Sequence, residues 1–261
     1  AQTVAAQTIS TRLDAITAED PDWFGLIVAE RDDVDAYRAA AWVAANSRIY
    51  SGLTTDQTLA AALQALTNNN TLMLVYQDDS QYIDAGWMGF NLATDLDVKT
   101  GNWHVSKLTG FTAENLTTTE IDSILEDGGS SFVSVHGSPR PIEGMTTSGR
   151  PMDVTTTVLW YGARLKEKLA NLILAKGDTG SKLPYNRAGI GQVAAAIDDV
   201  NETGVRAEHF NEGEVTSIVP DIGDVSAEDK AARILRGVGA TAVLSGGINK
   251  IVANLINLSL S

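Results

Sequence analysis

Between residues 23 and 76 the chain alternates between short apolar runs of strand length and longer runs with helical periodicity, and this alternation limits its possible folds more than any other feature. "WFGLIVA" (23–29) has strand length, and "DDVDAYRAAAWVAAN" (32–46) repeats Val34, Tyr37, Ala41, Trp42 and Ala45 at helical spacing. "RIYSG" (48–52) is a second strand, and a helix carrying Leu59, Ala62, Leu63 and Leu66 follows, with Thr54 or Thr55 as its cap. "TLMLVY" (71–76) is the third strand. Strands separated by helices favour a small parallel sheet, because parallel neighbours need a crossover long enough to return the chain to the same edge. Upstream, residues 3–17 place Val4, Ile9, Leu13 and Ile16 on one helical face, and Pro21 stops further helix.

The pattern then changes. Residues 101–156 are rich in Gly, Thr and Ser; "SSFVSVHG" (130–137) and "RPMDVTTT" (150–157) read as antiparallel strands, and "TTTEIDSIL" (117–125) as a short Thr-capped helix. A strong helix is expected over 157–176, with Val158, Leu165, Leu169, Leu172 and Ile173 on one face and Gly177 as its stop. "VAAAIDDV" (193–200) gives another helix. Ser226 with Asp229 forms a capping-box variant that opens a helix over "AEDKAARIL", ended by Gly237 and Gly239. The expected class is therefore α/β (α+β): an α/β segment over 1–100, a β-rich α+β segment over 101–156 and a C-terminal domain over 157–261.

Composition removes several functions. The 19 basic against 33 acidic side chains leave a formal charge of −14, which opposes binding to nucleic acid or anionic lipid. The absence of cysteine removes thiolate metal sites, thiol catalysis and disulfides. His104, His136 and His209 are too far apart in sequence to suggest a local metal cluster. No run of about 18 apolar residues is present to span a bilayer. The first residue is Ala, which suits a trimmed chain or one with an upstream segment.

The sharp motifs fail on context. Gly189, Gly191 and Ala194 have the G-x-G-x-x-A spacing, yet a dinucleotide fingerprint needs a buried strand directly before its first glycine. The preceding "SKLPYNR" contains Pro184, Lys182 and Arg187 and does not read as such a strand. "DLDVKTGN" (95–102) starts like a calcium loop, but Lys99, Thr100 and Ser106 occupy the positions that matter. "GMTTSGRPMDV" (144–154) lacks a nucleophile elbow and a phosphate-loop lysine. The adjacent pairs Glu19/Asp20 and Asp78/Asp79 point apart on regular elements and make poor acid–base dyads. No catalytic, cofactor-binding or metal constellation emerges, which shifts weight toward assembly or binding.

Five stretches in order, "AGWMGF" (85–90), "NWHVSKLTGF" with "NLTTTEID" (102–122), "IEGMTTSGRPMDV" (142–154), "KLPYNRAGI" (182–190) and "VPDIGDVSAEDKAARILRGV" (219–238), resemble the contractile tail sheath proteins of tailed bacteriophages. The similarity runs over about residues 20–261 and is strongest to the branch first known as a phage domain of unknown function. It implies a non-enzymatic structural subunit that stacks as homo-hexameric rings around a tail tube and contracts to drive the tube through the host envelope. The implied partners are other copies of the chain, the tail tube protein, and baseplate and tail-terminator proteins. No cofactor, nucleic acid or membrane insertion is implied, and the implied location is the phage tail, assembled in the host cytoplasm. Gly189 and Gly191 would then only punctuate a helix start.

Two features fit that resemblance. "INLSLS" alternates Ile256, Leu258 and Leu260 with polar residues, as a strand added to a neighbour's sheet requires, although Ile248, Ile251, Val252, Leu255 and Ile256 also fit a helical period. Lys230, Arg233 and Arg236, at i, i+3 and i+6, would form a basic stripe facing the tube; the same stripe suits a solvated helix end. Residues 1–17 depart from the family, reading as helix where sheaths carry an extended arm. The alternatives are another tail protein of tube or baseplate type, or a small α/β enzyme binding a nucleotide or sugar.

Overall fold

Three strands, β1 (Gly25–Leu26), β2 (Ile49–Thr54) and β3 (Thr71–Val75), form a parallel sheet in the order β1-β2-β3 in the computed structural model, which describes residues 8–249. Helices α2 (Asp33–Asn46) and α3 (Gln57–Gln64) supply the two crossovers. Every residue of β2 and β3 is buried, as strands covered on both faces must be. Only Gly25 and Leu26 of the first apolar run pair; Ile27 and Val28 leave the ladder to pack into the core.

The helical faces differ in part from their sequence periodicity. In α2 the buried residues are Ala36, Ala39, Ala40, Trp42 and Val43, whereas Val34 and Tyr37 face solvent. A helix seated on a fully covered sheet needs close approach, and three alanines permit it where Val34 and Tyr37 would not. Trp42 stacks on Trp23 at 5.6 Å and donates its indole N–H to Asp14 of α1 (Ile9–Glu19) at 2.7 Å. Helix α1 buries Ile9 and Leu13 but exposes Ile16. The cap of α3 is Asp56, which accepts from the Thr58 N–H at 2.8 Å, because Thr54 is still held within β2.

The opposite face of the sheet is covered by α4 (Ile83–Leu92), whose Ile83, Trp87 and Met88 join Leu72, Leu74, Trp103 and Phe132 in one cluster. Its first turn holds the fully buried Asp84, gripped by Arg31 through two hydrogen bonds of 2.8 and 2.9 Å. The Arg31 guanidinium also lies 4.7 Å from the centre of the Tyr82 ring. Burial pushes the nearby Tyr50 phenol upward, and the Asp84 charge adds to that shift.

In the middle, α5 (Thr118–Glu126) opens with a complete capping box between Thr117 and Glu120. Strands β4 (Ser131–Val135) and β5 (Ser138–Ile142) form a hairpin across His136 and Gly137, whose φ values of 48° and 79° suit a primed turn. The expected strand over 150–157 is absent. Apart from a single bridge between Met145 and Pro151, that stretch begins the 27-residue helix α6 (Met152–Asp178). Its β-branched threonines are accommodated through their hydroxyls: Thr155 donates to the Asn69 carbonyl at 2.6 Å and Thr156 to the Asp153 carbonyl at 2.9 Å.

Helix α7 (Arg187–Arg206) packs along α6 and leads to β6 (Phe210–Ile218), which pairs antiparallel with β7 (Gly239–Leu244) after an excursion containing the short helix α8 (Ala227–Ala232). The class is thus mixed α/β, with a parallel sheet and flanking helices followed by antiparallel pairs and helices, as the sequence suggested. Ile256, Leu258 and Leu260 lie outside the described residues. No described helix is long and apolar enough to cross a membrane.

Candidate assembly interface

The first third of α6 is anchored by its buried residues, and the rest is held along the side that faces α7, where the Tyr161 hydroxyl donates to Asn201 at 2.9 Å and Lys168 pairs with Asp199 at 2.8 Å. Its buried residues are Met152, Thr155, Thr156, Thr157 and Trp160, all in the first three turns. Trp160 donates to the Asp97 carboxylate at 2.7 Å, and Arg164 adds a contact to the same oxygen at 2.8 Å. The acid that resembled a calcium ligand is therefore the tether between loop 93–100 and α6. His209 completes the anchor: its ring stacks on Trp160 at 4.4 Å, and Nε2 donates to the Leu96 carbonyl at 2.8 Å. That donation leaves Nδ1 as an acceptor for the Thr157 hydroxyl at 2.8 Å. Burial lowers the His209 pKa, against a weaker upward pull from the Leu96 carbonyl and the Asp97 charge.

Beyond Trp160 the apolar face of α6 finds incomplete cover. Leu165, Leu169 and Leu172 are half-buried, while Ile173 and Leu174 are each 61% exposed. The periodicity that reads as a core stripe is real, but among the described residues much of it borders a groove of about 640 Å³. Leu169, Leu172 and Ile173 of α6, Ile190 of α7, and Leu235 and Val238 line this groove. Tyr185 holds one wall by donating its hydroxyl to the Ile234 carbonyl at 2.7 Å.

Gly189 has a definite role at the same place. Asn186 caps α7 by accepting from the Gly189 N–H at 3.0 Å, and a Cβ on Gly189 would lie 1.8 Å from the Pro184 carbonyl oxygen. The glycine allows the Pro184 turn to fold back against the first turn of the helix. A Cβ on Gly191 would meet nothing within 4 Å. No described strand leads directly into α7, so the dinucleotide geometry is missing.

The three cations expected on one helical stripe are separated. Helix α8 ends at Ala232, with Ser226 capping it through the Asp229 N–H at 3.0 Å; Arg233 is its left-handed C-cap with φ 58°. Lys230 alone lies on the helix, and Arg236 turns back to pair with Asp229 at 3.0 Å. A six-residue helix cannot carry an i, i+3, i+6 stripe from its fourth position; the chain turns at Arg233, a residue with no turn signature, rather than at Gly237. Lys230 and Arg233 instead stand on the groove, with Lys176 and Lys182. Among the described residues none of these four pairs with a carboxylate within 4.0 Å.

The pair β6–β7 is the other unfinished surface. Val215 to Ile218 of β6 align with Ala242 to Gly239 of β7, yet Ile218 is 46% and Val243 51% exposed. One face of the pair packs on α7, where Phe210 is buried and Asn201 donates to the Ser217 hydroxyl at 2.9 Å, so it is the other face and the free strand edges that stay open. Among the described residues no three His, Asp or Glu side chains gather as a metal would need. The exposed features are an apolar groove, its cationic rim and a strand pair with one open face.

No family model and no curated protein matches the chain. By structure it is similar to a chain in the cryo-electron microscopy structure of the anti-feeding prophage baseplate, solved with six-fold symmetry imposed. The TM-score is 0.67 at 10% identity, and the match covers 95% of this chain and 72% of the other. The two chains share a fold.

Proposed function

We propose that the protein is a non-enzymatic structural subunit of a contractile, phage-tail-type particle, and within that class a sheath subunit that stacks in rings around a tail tube. The observation that carries the reading is the fold shared over 95% of the chain with a component of a six-fold baseplate structure. The surface chemistry agrees with it: the exposed features are an apolar groove and an unfinished strand pair, features that suit partners of protein size. The sheath form of the proposal rests on the five ordered stretches from "AGWMGF" to "VPDIGDVSAEDKAARILRGV".

A baseplate role is the second reading, favoured by what the structural neighbour belongs to. Electron microscopy of the purified full chain across salt concentrations separates the two. Hollow cylinders or stacked six-fold rings from this protein alone support the sheath; discrete complexes that form only with other tail proteins support the baseplate. A monomer that binds a nucleotide or sugar tightly overturns both and restores the enzyme alternative.

A further inference from the structure

The geometry points to a head-to-tail contact in which the cation-rimmed groove of one copy receives the acidic first turn of α2 from a second copy; this rests on the structural-subunit reading above. The groove has an apolar floor and four cations, Lys176, Lys182, Lys230 and Arg233, that find no carboxylate partner among the described residues. In a chain with net charge −14, a group of uncompensated cations beside apolar surface marks a preference for an anionic, partly apolar occupant.

The chain itself carries such a surface on a different element. Residues 14–35 hold eight carboxylates against one cation, Arg31, which is committed to Asp84; Arg12 offsets part of the remaining charge at Glu30 and Asp35, and Arg38 at Asp35, leaving the surface net acidic. At the start of α2 this acidic stretch also shows apolar side chains to solvent: Val34 is 54% and Tyr37 39% exposed, one turn apart on the helix. Glu30 and Asp33 flank them and are exposed. Val34 and Tyr37 match the floor of the groove in chemistry, and the flanking carboxylates match its rim. The two patches differ and belong to one chain, so the contact is heterologous; such contacts close into rings or propagate as helical stacks.

The test is a charge swap in the full chain, read by sedimentation velocity at low salt and confirmed by microscopy. One variant carries Lys182→Glu with Lys230→Glu, the other Glu30→Lys with Asp33→Lys, and both are first checked for an unchanged thermal transition. Each variant alone should associate at least about tenfold more weakly than the unaltered chain, because like charges then face each other. An equimolar mixture should recover assembly, since every contact can again pair opposite charges. The proposal is overturned if either variant assembles normally, or if mixing restores nothing. If the unaltered chain assembles and the reversals change nothing, this contact fails while the structural-subunit reading stands; if it stays monomeric at every salt concentration, this contact and the sheath form of that reading fail, and the baseplate form stands.

Discussion

The parallel sheet and the C-terminal helices solve the same problem to different degrees. Strands β2 and β3 are buried along their whole length, between α2 and α3 on one side and α4 on the other. Helix α6 has no buried residue after Trp160, α8 has none, and β6 buries only Phe210. One region is complete within the chain, and the other presents apolar surface that a neighbour can cover. The proposed assembly role calls for both, a rigid body and faces left for partners.

The sharpest way to break the completed region is to orphan its buried charge. Asp84→Ala leaves Arg31 without its partner and should lower the unfolding free energy by about 3–5 kcal/mol in denaturant titration. Leu72→Ala, at a fully buried position in β3, should cost about 2–5 kcal/mol. Gly189→Ala forces a methyl group against the Pro184 carbonyl and should cost about 1–3 kcal/mol, whereas Gly191→Ala, in open space, should stabilise α7 by up to about 1 kcal/mol. Equal costs at the two glycines would mean that the Pro184 turn does not pack as described.

A smaller effect is expected from pH. The folded His209 has a lowered pKa, so the unfolded chain takes up a proton near pH 6.5 that the folded chain refuses. This contribution to stability is whole above about pH 6.5 and declines as the pH falls toward the folded pKa. His209→Gln should flatten the decline below about pH 6.5, and an unaltered profile would remove His209 as its source. The smallest effect belongs to the open region: Ile173→Ala should change folding stability by less than about 0.5 kcal/mol while weakening assembly. A large loss of fold stability there would show that α6 is already fully packed within one chain.

How much could be read in advance follows the same division. The parallel sheet was legible because strand-length apolar runs separated by helical ones have few other arrangements, and the Ser226 and Thr117 caps because their partners are local in sequence. The choice of α2 face was not legible, since Ala39 and Ala40 carry little hydrophobic signal yet define the closest approach to the sheet. The threonines of α6 misled for a related reason: their β-forming tendency is overridden by hydroxyl bonds to Asn69 and His209, which are distant in sequence. The apolar period of α6 was visible, but a periodic stripe looks the same whether its cover comes from its own chain or from another. The groove cations were hidden in the same way, because Lys176 and Lys182 meet Lys230 and Arg233 only in three dimensions.

Hydrogen–deuterium exchange of the full chain, compared between its assembled and dispersed forms, tests the division most directly. Assembly should slow exchange in 165–177 of α6, in 210–218 and 239–244 of the strand pair and in the first turn of α2, while 49–54 and 71–75 of the parallel sheet stay as protected as before. Unchanged exchange along α6 and the strand pair, with protection gained elsewhere, would contradict the assignment of that surface to assembly.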